Sequence, residues 1–190
     1  NRYISQLGSV FKYARRLRLV PRSFVSPTLN IERLPEPVYP DRYLRPEDVE
    51  RLLKVCKVVD TKWKKMSALI VLAHHTGLRR GSLMSLRWSD IDFHQRTATV
   101  LRTKNGQPMV AALSHRAVME LKKLPGKYPD EYIFAGRTGR PFEFRSLWLR
   151  LIDEAGLKGR NFHQLRHGCG FMLASNGVNQ ATVMQIMGHR

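Results

Sequence analysis

The stretch Thr76-Gly77-Leu78-Arg79-Arg80-Gly81-Ser82-Leu83 is where one helix should stop and the next begin. Upstream, Trp63 to Thr76 is rich in apolar residues, with Met66, Ala68, Leu69, Ile70, Val71, Leu72 and Ala73 almost continuous. Gly77 then reads as a C-cap, because glycine enters the left-handed region without a Cβ penalty. A short helix from about Arg80 to Leu86 should follow. Arg79 falls on the turn between the two helices, held by backbone on both sides. Its planar fork suits bidentate contact with a phosphate. Taken alone, this segment reads more simply as a solvated arginine near a helix end.

Working outward, Pro46 is well placed in a first helical turn, with Glu47 and Asp48 favourable at that positive end. Thr97 to Arg102 and Pro108 to Leu113 have strand character and flank Asn105-Gly106, a strong hairpin signal. Ser114 can cap a helix running through Lys123, and Ile133-Phe134 reads as a further short strand. Three more helices are expected: Ser146 to Ala155, Gln164 to Ser175 and Asn179 to Met187, each followed by a glycine. Near the start, Ile4, Leu7, Phe11, Ala14 and Leu17 recur at helical spacing, with basic residues mostly off that stripe. Five prolines between Pro21 and Pro40 predict an extended linker. The fold class is therefore α+β and mainly α-helical, with one small antiparallel sheet.

Charge gives the first functional clue. Lys and Arg number 33 against 15 Asp and Glu, a net +18 over 190 residues. Such a surplus repels itself in a compact chain and is better tolerated opposite a polyanion. Nucleic acid leads, since Lys and Arg release condensed counterions from phosphates; a ribosomal-type protein or an anionic membrane surface are the plainer alternatives. No apolar run approaches the ~20 residues of a membrane span. Cys56 and Cys169 lie far apart without CxxC spacing, which reads as free thiols in a reducing cytoplasm. The first residue is Asn1, which suggests a domain boundary.

Two further segments carry potential chemistry. In His163-Gln164-Leu165-Arg166-His167, residues three and four apart share a helix face, so His163, Arg166 and His167 can converge while Leu165 points into the core. His163 and His167 also have metal-ligand spacing, but Gln164 stands where a zincin needs Glu, and Arg166 between them repels a dication. Met187-Gly188-His189 places a histidine just past a glycine helix stop.

Together the three segments resemble the tyrosine recombinase (phage integrase) family. The order Thr-Gly-Leu-Arg, His-x-x-Arg-His and Gly-His carries the likeness. Leu86-Arg87-Trp88-Ser89-Asp90-Ile91-Asp92 and the turn Thr103-Lys104-Asn105-Gly106 extend it over roughly residues 43 to 190. The resemblance implies that residues 1–20 are the last helix of a core-binding (SAM-like) domain, 21–42 an interdomain linker, and 43–190 a catalytic domain without its C-terminal tyrosine segment.

It also implies roles. Arg79 and Arg166 would clamp the non-bridging oxygens of a scissile phosphate, where charge grows in the transition state. Lys104 would protonate the departing 5′ oxygen, His163 would take or relay the nucleophile's proton, and His189 would hydrogen-bond the phosphate. His167 would support the helix. No cofactor is expected, and no metal, since these cations supply the charge a metal would bring. The implied partners are double-stranded DNA and further copies of the protein, as a tetramer on two DNA sites, in a prokaryotic cytoplasm. No membrane is involved.

Three departures stand out. Ser82 occupies a position commonly acidic in the family. Gly168-Cys169-Gly170 replaces bulkier, helix-favouring residues, so that helix is either locally loose or closely packed. The family's nucleophilic tyrosine lies about nine residues beyond the Gly-His histidine, and the sequence stops at Arg190. Tyr39, Tyr43, Tyr128 and Tyr132 do not occupy that position. The expectation is a site-specific recombinase whose present segment binds DNA without its nucleophile; the alternative is a non-catalytic DNA-binding module.

Overall fold

A computed structural model describes residues 1–35, 43–101, 108–126 and 128–188. Tyr39, the turn Thr103-Lys104-Asn105-Gly106 and His189 lie outside the described residues. The chain forms two compact units, Asn1–Pro40 and Asp41–Arg190.

In the smaller unit, α1 (Arg2–Arg16) buries none of its residues fully. The described part of the proline-containing stretch, up to residue 35, folds back beside α1, and residues 36–42 lie outside the described residues. Phe24 packs on Phe11 with ring centroids 5.4 Å apart, Arg15 donates to the Arg22 carbonyl at 3.1 Å, and Asn1 donates to the Leu34 carbonyl at 2.8 Å. Phe24 and the Arg22 carbonyl find partners on α1, and the Leu34 carbonyl on its N-cap residue Asn1, where an exposed linker would leave them in water.

The larger unit is organised around α3 (Met66–Thr76), nine of whose eleven residues are buried. Against it pack α2 (Pro46–Val59), α5 (His115–Lys122) and α7 (His163–Ser175), while α6 (Arg145–Glu154) covers α2. The short α4 (Arg80–Ser85) follows α3 across Gly77, whose φ of 63° is the left-handed C-cap expected from the sequence. The last helix, α8 (Gln180–Ile186), leans on α7. Ser114 Oγ accepts from the Ala117 N–H at 3.1 Å and Asn179 Oδ1 from the Thr182 N–H at 2.8 Å, satisfying donors that helix N-termini leave open.

The helix expected from Trp63 begins three residues later. Asp60 is the reason: one carboxylate oxygen accepts from the Lys64 N–H and the other from the Met66 N–H, both at 2.9 Å. It holds Lys64 in the left-handed region, φ 58°, and starts α3 at Met66. Asp60→Ala is expected to destabilise the unit by about 1–2 kcal/mol, the cost of losing an N-terminal cap. An unchanged urea midpoint would count against it.

A three-stranded antiparallel sheet, β1 (Ile91–Asp92), β2 (Thr97–Val100) and β3 (Met109–Ala112), closes one side. Ala98 pairs with Ala111 and Val100 with Met109, so the two predicted strands do form a ladder. Only β1 was not anticipated, because two residues carry too little pattern. Ile133-Phe134 is not a strand. Both side chains are fully buried, but the Ile133 carbonyl accepts from Lys65 Nζ at 2.8 Å and the Ala135 carbonyl from Trp63 Nε1 at 2.9 Å. The Ala135 N–H closes a turn onto the Tyr132 carbonyl at 3.2 Å, so Ile133 and Phe134 are its central residues.

Candidate active site

The phase of α7 is set by its core contacts. Phe162, just before the helix, meets Phe144 and Trp148 edge-on at 4.8 and 5.2 Å. Leu165, Arg166 and Cys169 then fall on the buried face at i+3, i+4 and i+7. Arg166 thus occupies a core position, 4% exposed. Its two terminal nitrogens donate to the carbonyls of Gly77 and Met187. These belong to the ends of α3 and α8, where carbonyls lack helical partners and carry partial negative charge.

Arg79 sits at the N-cap of α4 in extended conformation, half-buried. Its Nη2 donates to the Gly188 carbonyl at 3.3 Å. The two arginines come close enough for the Arg79 charge to act on Arg166. Burial first, and Arg79 second, push the Arg166 guanidinium down to about 10. It remains cationic at neutral pH, so two like charges are held side by side on helix C-termini. Ser82 is buried within α4, and Arg79 takes its support from the Gly188 main chain instead of a carboxylate at position 82.

His163 and His167 are exposed on the adjoining face of α7, their rings edge to face at 4.8 Å. Arg166, three residues after His163, is buried where the two histidines are exposed. Among the described residues, no three His, Cys, Asp or Glu side chains gather as a metal-ligand set. Tyr43 stacks on Phe171 at 4.2 Å, and Tyr132 lies under the Arg87 guanidinium at 4.5 Å with its hydroxyl accepting from Arg87. Lys104 and His189 have no described placement.

Sequence reasoning missed two residues that shape this site. His74, 3% exposed, lies against α7 where a Cβ on Gly168 would approach its Nδ1 to 3.1 Å and the Leu44 carbonyl to 2.5 Å. The glycine pair therefore reflects close packing at Gly168. Met187, 3% exposed, seats α8. Neither was legible, because both matter through neighbours distant in sequence.

Burial also pushes the His75 imidazole down to about 4, helped by His74 and Arg116, and lowers His74. Both are held neutral when folded and protonate more readily when unfolded. Stability is therefore complete above the ordinary value of 6.5 and declines as the pH falls toward 4. Urea unfolding is expected to show a loss of roughly 2 kcal/mol between pH 7 and pH 4.5; His75→Gln should flatten that slope.

The phage integrase family model matches residues 42–190. The chain belongs to the phage integrase family. It is 27% identical to the type 1 fimbriae regulatory protein FimB of Escherichia coli K12 over 158 residues, covering 78% of each. It is 27% identical to a tyrosine recombinase XerC-like protein of Caldanaerobacter subterraneus, covering 67% of this chain and 43% of that one. Among solved structures, the integrase from mycobacterium phage Brujita superposes with a TM-score of 0.67 at 27% identity, covering 99% of this chain. This integrase-family chain spans 62% of that structure's chain, less than two thirds of its length.

Proposed function

We propose that this chain is the phosphate-handling part of a site-specific DNA recombinase that works without metal or ATP. The observation carrying this reading is the pair Arg79 and Arg166, brought side by side on the ends of α3 and α8 at the family's two arginine positions. Arg166 gives its terminal nitrogens to two carbonyls and Arg79 gives one to a third; a guanidinium carries five N–H donors, and the phosphate takes from both arginines. As the phosphorane forms, negative charge grows on the non-bridging oxygens, and fixed guanidinium groups stabilise it more than the ground state.

A tyrosine oxygen attacks phosphorus and the bond to the 5′ oxygen breaks, leaving a 3′-phosphotyrosyl bond and a free 5′-hydroxyl. The tyrosine's proton goes to His163, whose ring meets that of His167 edge to face. Lys104 protonates the leaving 5′ oxygen, and His189 donates to the phosphate. We place the nucleophile outside residues 1–190, in the sequence following Arg190 or on another protomer of a tetramer. Tyr43 and Tyr132 are already engaged in packing. The smaller unit would be the end of a core-binding domain, adding its basic face to the DNA contact.

The test uses the full reading frame and nicked duplex DNA in EDTA. A protein–DNA adduct released by phosphotyrosine hydrolysis is expected; an adduct lost on chelation would overturn the metal-free reading. Binding without an adduct would leave a non-catalytic DNA-binding module. The 190-residue chain alone is expected to bind DNA without an adduct. Its affinity should fall by on the order of 10³-fold between 50 and 200 mM salt if six or more phosphates are contacted.

A further inference from the structure

Within Gln180–Ile186, α8 buries no side chain fully; Met184 and Ile186 are 38% and 37% exposed. The next residue, Met187, is 3% exposed. Its side chain fills a notch made by two glycines. A Cβ on Gly77 would meet Met187 Sδ at 2.6 Å, and one on Gly170 would meet its Cε at 3.5 Å. Cys169 Sγ forms the wall beside it, 3.2 Å from the same Cβ position on Gly77. The Met187 main chain closes the last turn through its N–H to the Val183 carbonyl at 2.9 Å. The two carbonyls that follow are those that hold the arginines: Met187 for Arg166 and Gly188 for Arg79.

We infer that Met187 is a positioning residue for the arginine pair: by seating α8 in the Gly77–Gly170 notch, it places two carbonyls that orient Arg166 and Arg79. One side chain anchors the helix, so its docking and the formation of the arginine pair are a single event. An unseated α8 takes both acceptors away together. Arg166 then loses the Met187 carbonyl, and two neighbouring cations lose the negative helix end beside them. Gly77 serves twice, once for its left-handed backbone and once as the floor under Met187 Sδ. That this pair handles DNA phosphate rests on the recombinase reading; the seating of α8 does not.

The experiment compares the 190-residue chain with Met187→Ala and Met187→Leu by nitrogen-15 NMR of arginine side chains. In the parent, Arg166 should give separate, slowly exchanging Nη signals, because each nitrogen is held by a carbonyl. Met187→Ala is expected to collapse them to an averaged signal with proton exchange at least about 10-fold faster, while the α3 and α7 amide signals persist. Met187→Leu should restore them. If Met187→Ala unfolds the chain, the milder Met187→Val, which leaves the Gly77 backbone untouched and only shortens the side chain in the notch, is expected to give the same loss in part. A role in packing alone would lower the melting temperature and leave the Arg166 signals intact in either variant, and that result would overturn the proposal. In DNA titrations, Met187→Ala should reduce the salt slope by about 1–2. A parent chain that binds no DNA would defeat the recombinase reading but not the NMR result.

Discussion

Arg166→Ala, in the protein expressed from its full reading frame, is expected to form the covalent DNA adduct on the order of 10³-fold more slowly than the parent. That is the usual cost of removing one pre-aimed donor from a site where charge develops. The loss should appear in the single-turnover rate far more than in DNA affinity, because one phosphate contact among many changes affinity little. Stability should fall as well. The Gly77 and Met187 carbonyls lose the guanidinium that joins them, and unsatisfied buried acceptors cost about 1–3 kcal/mol. Arg166→Lys separates charge from geometry. An ammonium is a point charge and cannot span two carbonyls as a planar fork does, so DNA affinity should stay near the parent's while cleavage drops about 10²-fold. Cleavage within a factor of three of the parent in both variants would remove Arg166 from the proposed mechanism.

Two glycines on α7, two residues apart, are expected to respond to alanine with opposite signs. At Gly168 a Cβ would lie 2.5 Å from the Leu44 carbonyl oxygen. That backbone has no freedom to retreat, because the Leu44 N–H is bonded to the Gln164 carbonyl of the same helix turn at 3.2 Å. Overpacking of about 1–3 kcal/mol should outweigh the ~1 kcal/mol that alanine gains in helix propensity, with a backbone clash at the upper end. The net loss is about 2 kcal/mol, or roughly 4–8 °C in melting temperature for a unit of this size. At Gly170 the new Cβ would meet only the end of the Met187 side chain at an ordinary 3.5 Å. Gly170→Ala should be neutral or stabilising by up to about 1 kcal/mol. Differential scanning calorimetry of both variants decides it, and a stabilised Gly168→Ala would show that the helices can separate.

The amino-acid sequence by itself determined the order and type of nearly every element. The apolar run ending at Gly77, Pro46 at a helix start, Ser114 and Asn179 as caps, and two strands around Asn105-Gly106 are local signals, each decided within a few residues. The same local reading marked Arg79, Arg166 and the histidines of α7 as candidates, and only their order together, through the family resemblance, singled them out. It failed where a segment's hydrogen bonds go to distant side chains. Ile133-Phe134 looks like a strand, yet the Ala135 N–H turns back to the Tyr132 carbonyl and Lys65 takes the Ile133 carbonyl; Trp63 looks helical, yet Asp60 holds the chain open until Met66. Only the tertiary structure decided how the arginines are held. Arg166 reaches a carbonyl 89 residues away and Arg79 one 109 residues away, both at helix ends whose acceptors helical periodicity leaves open. What the family motif marks as two separate arginines becomes one site because α3 and α8 end at the same place. The notch over Gly77 that brings them there is a property of packing, and no spacing along the chain records it.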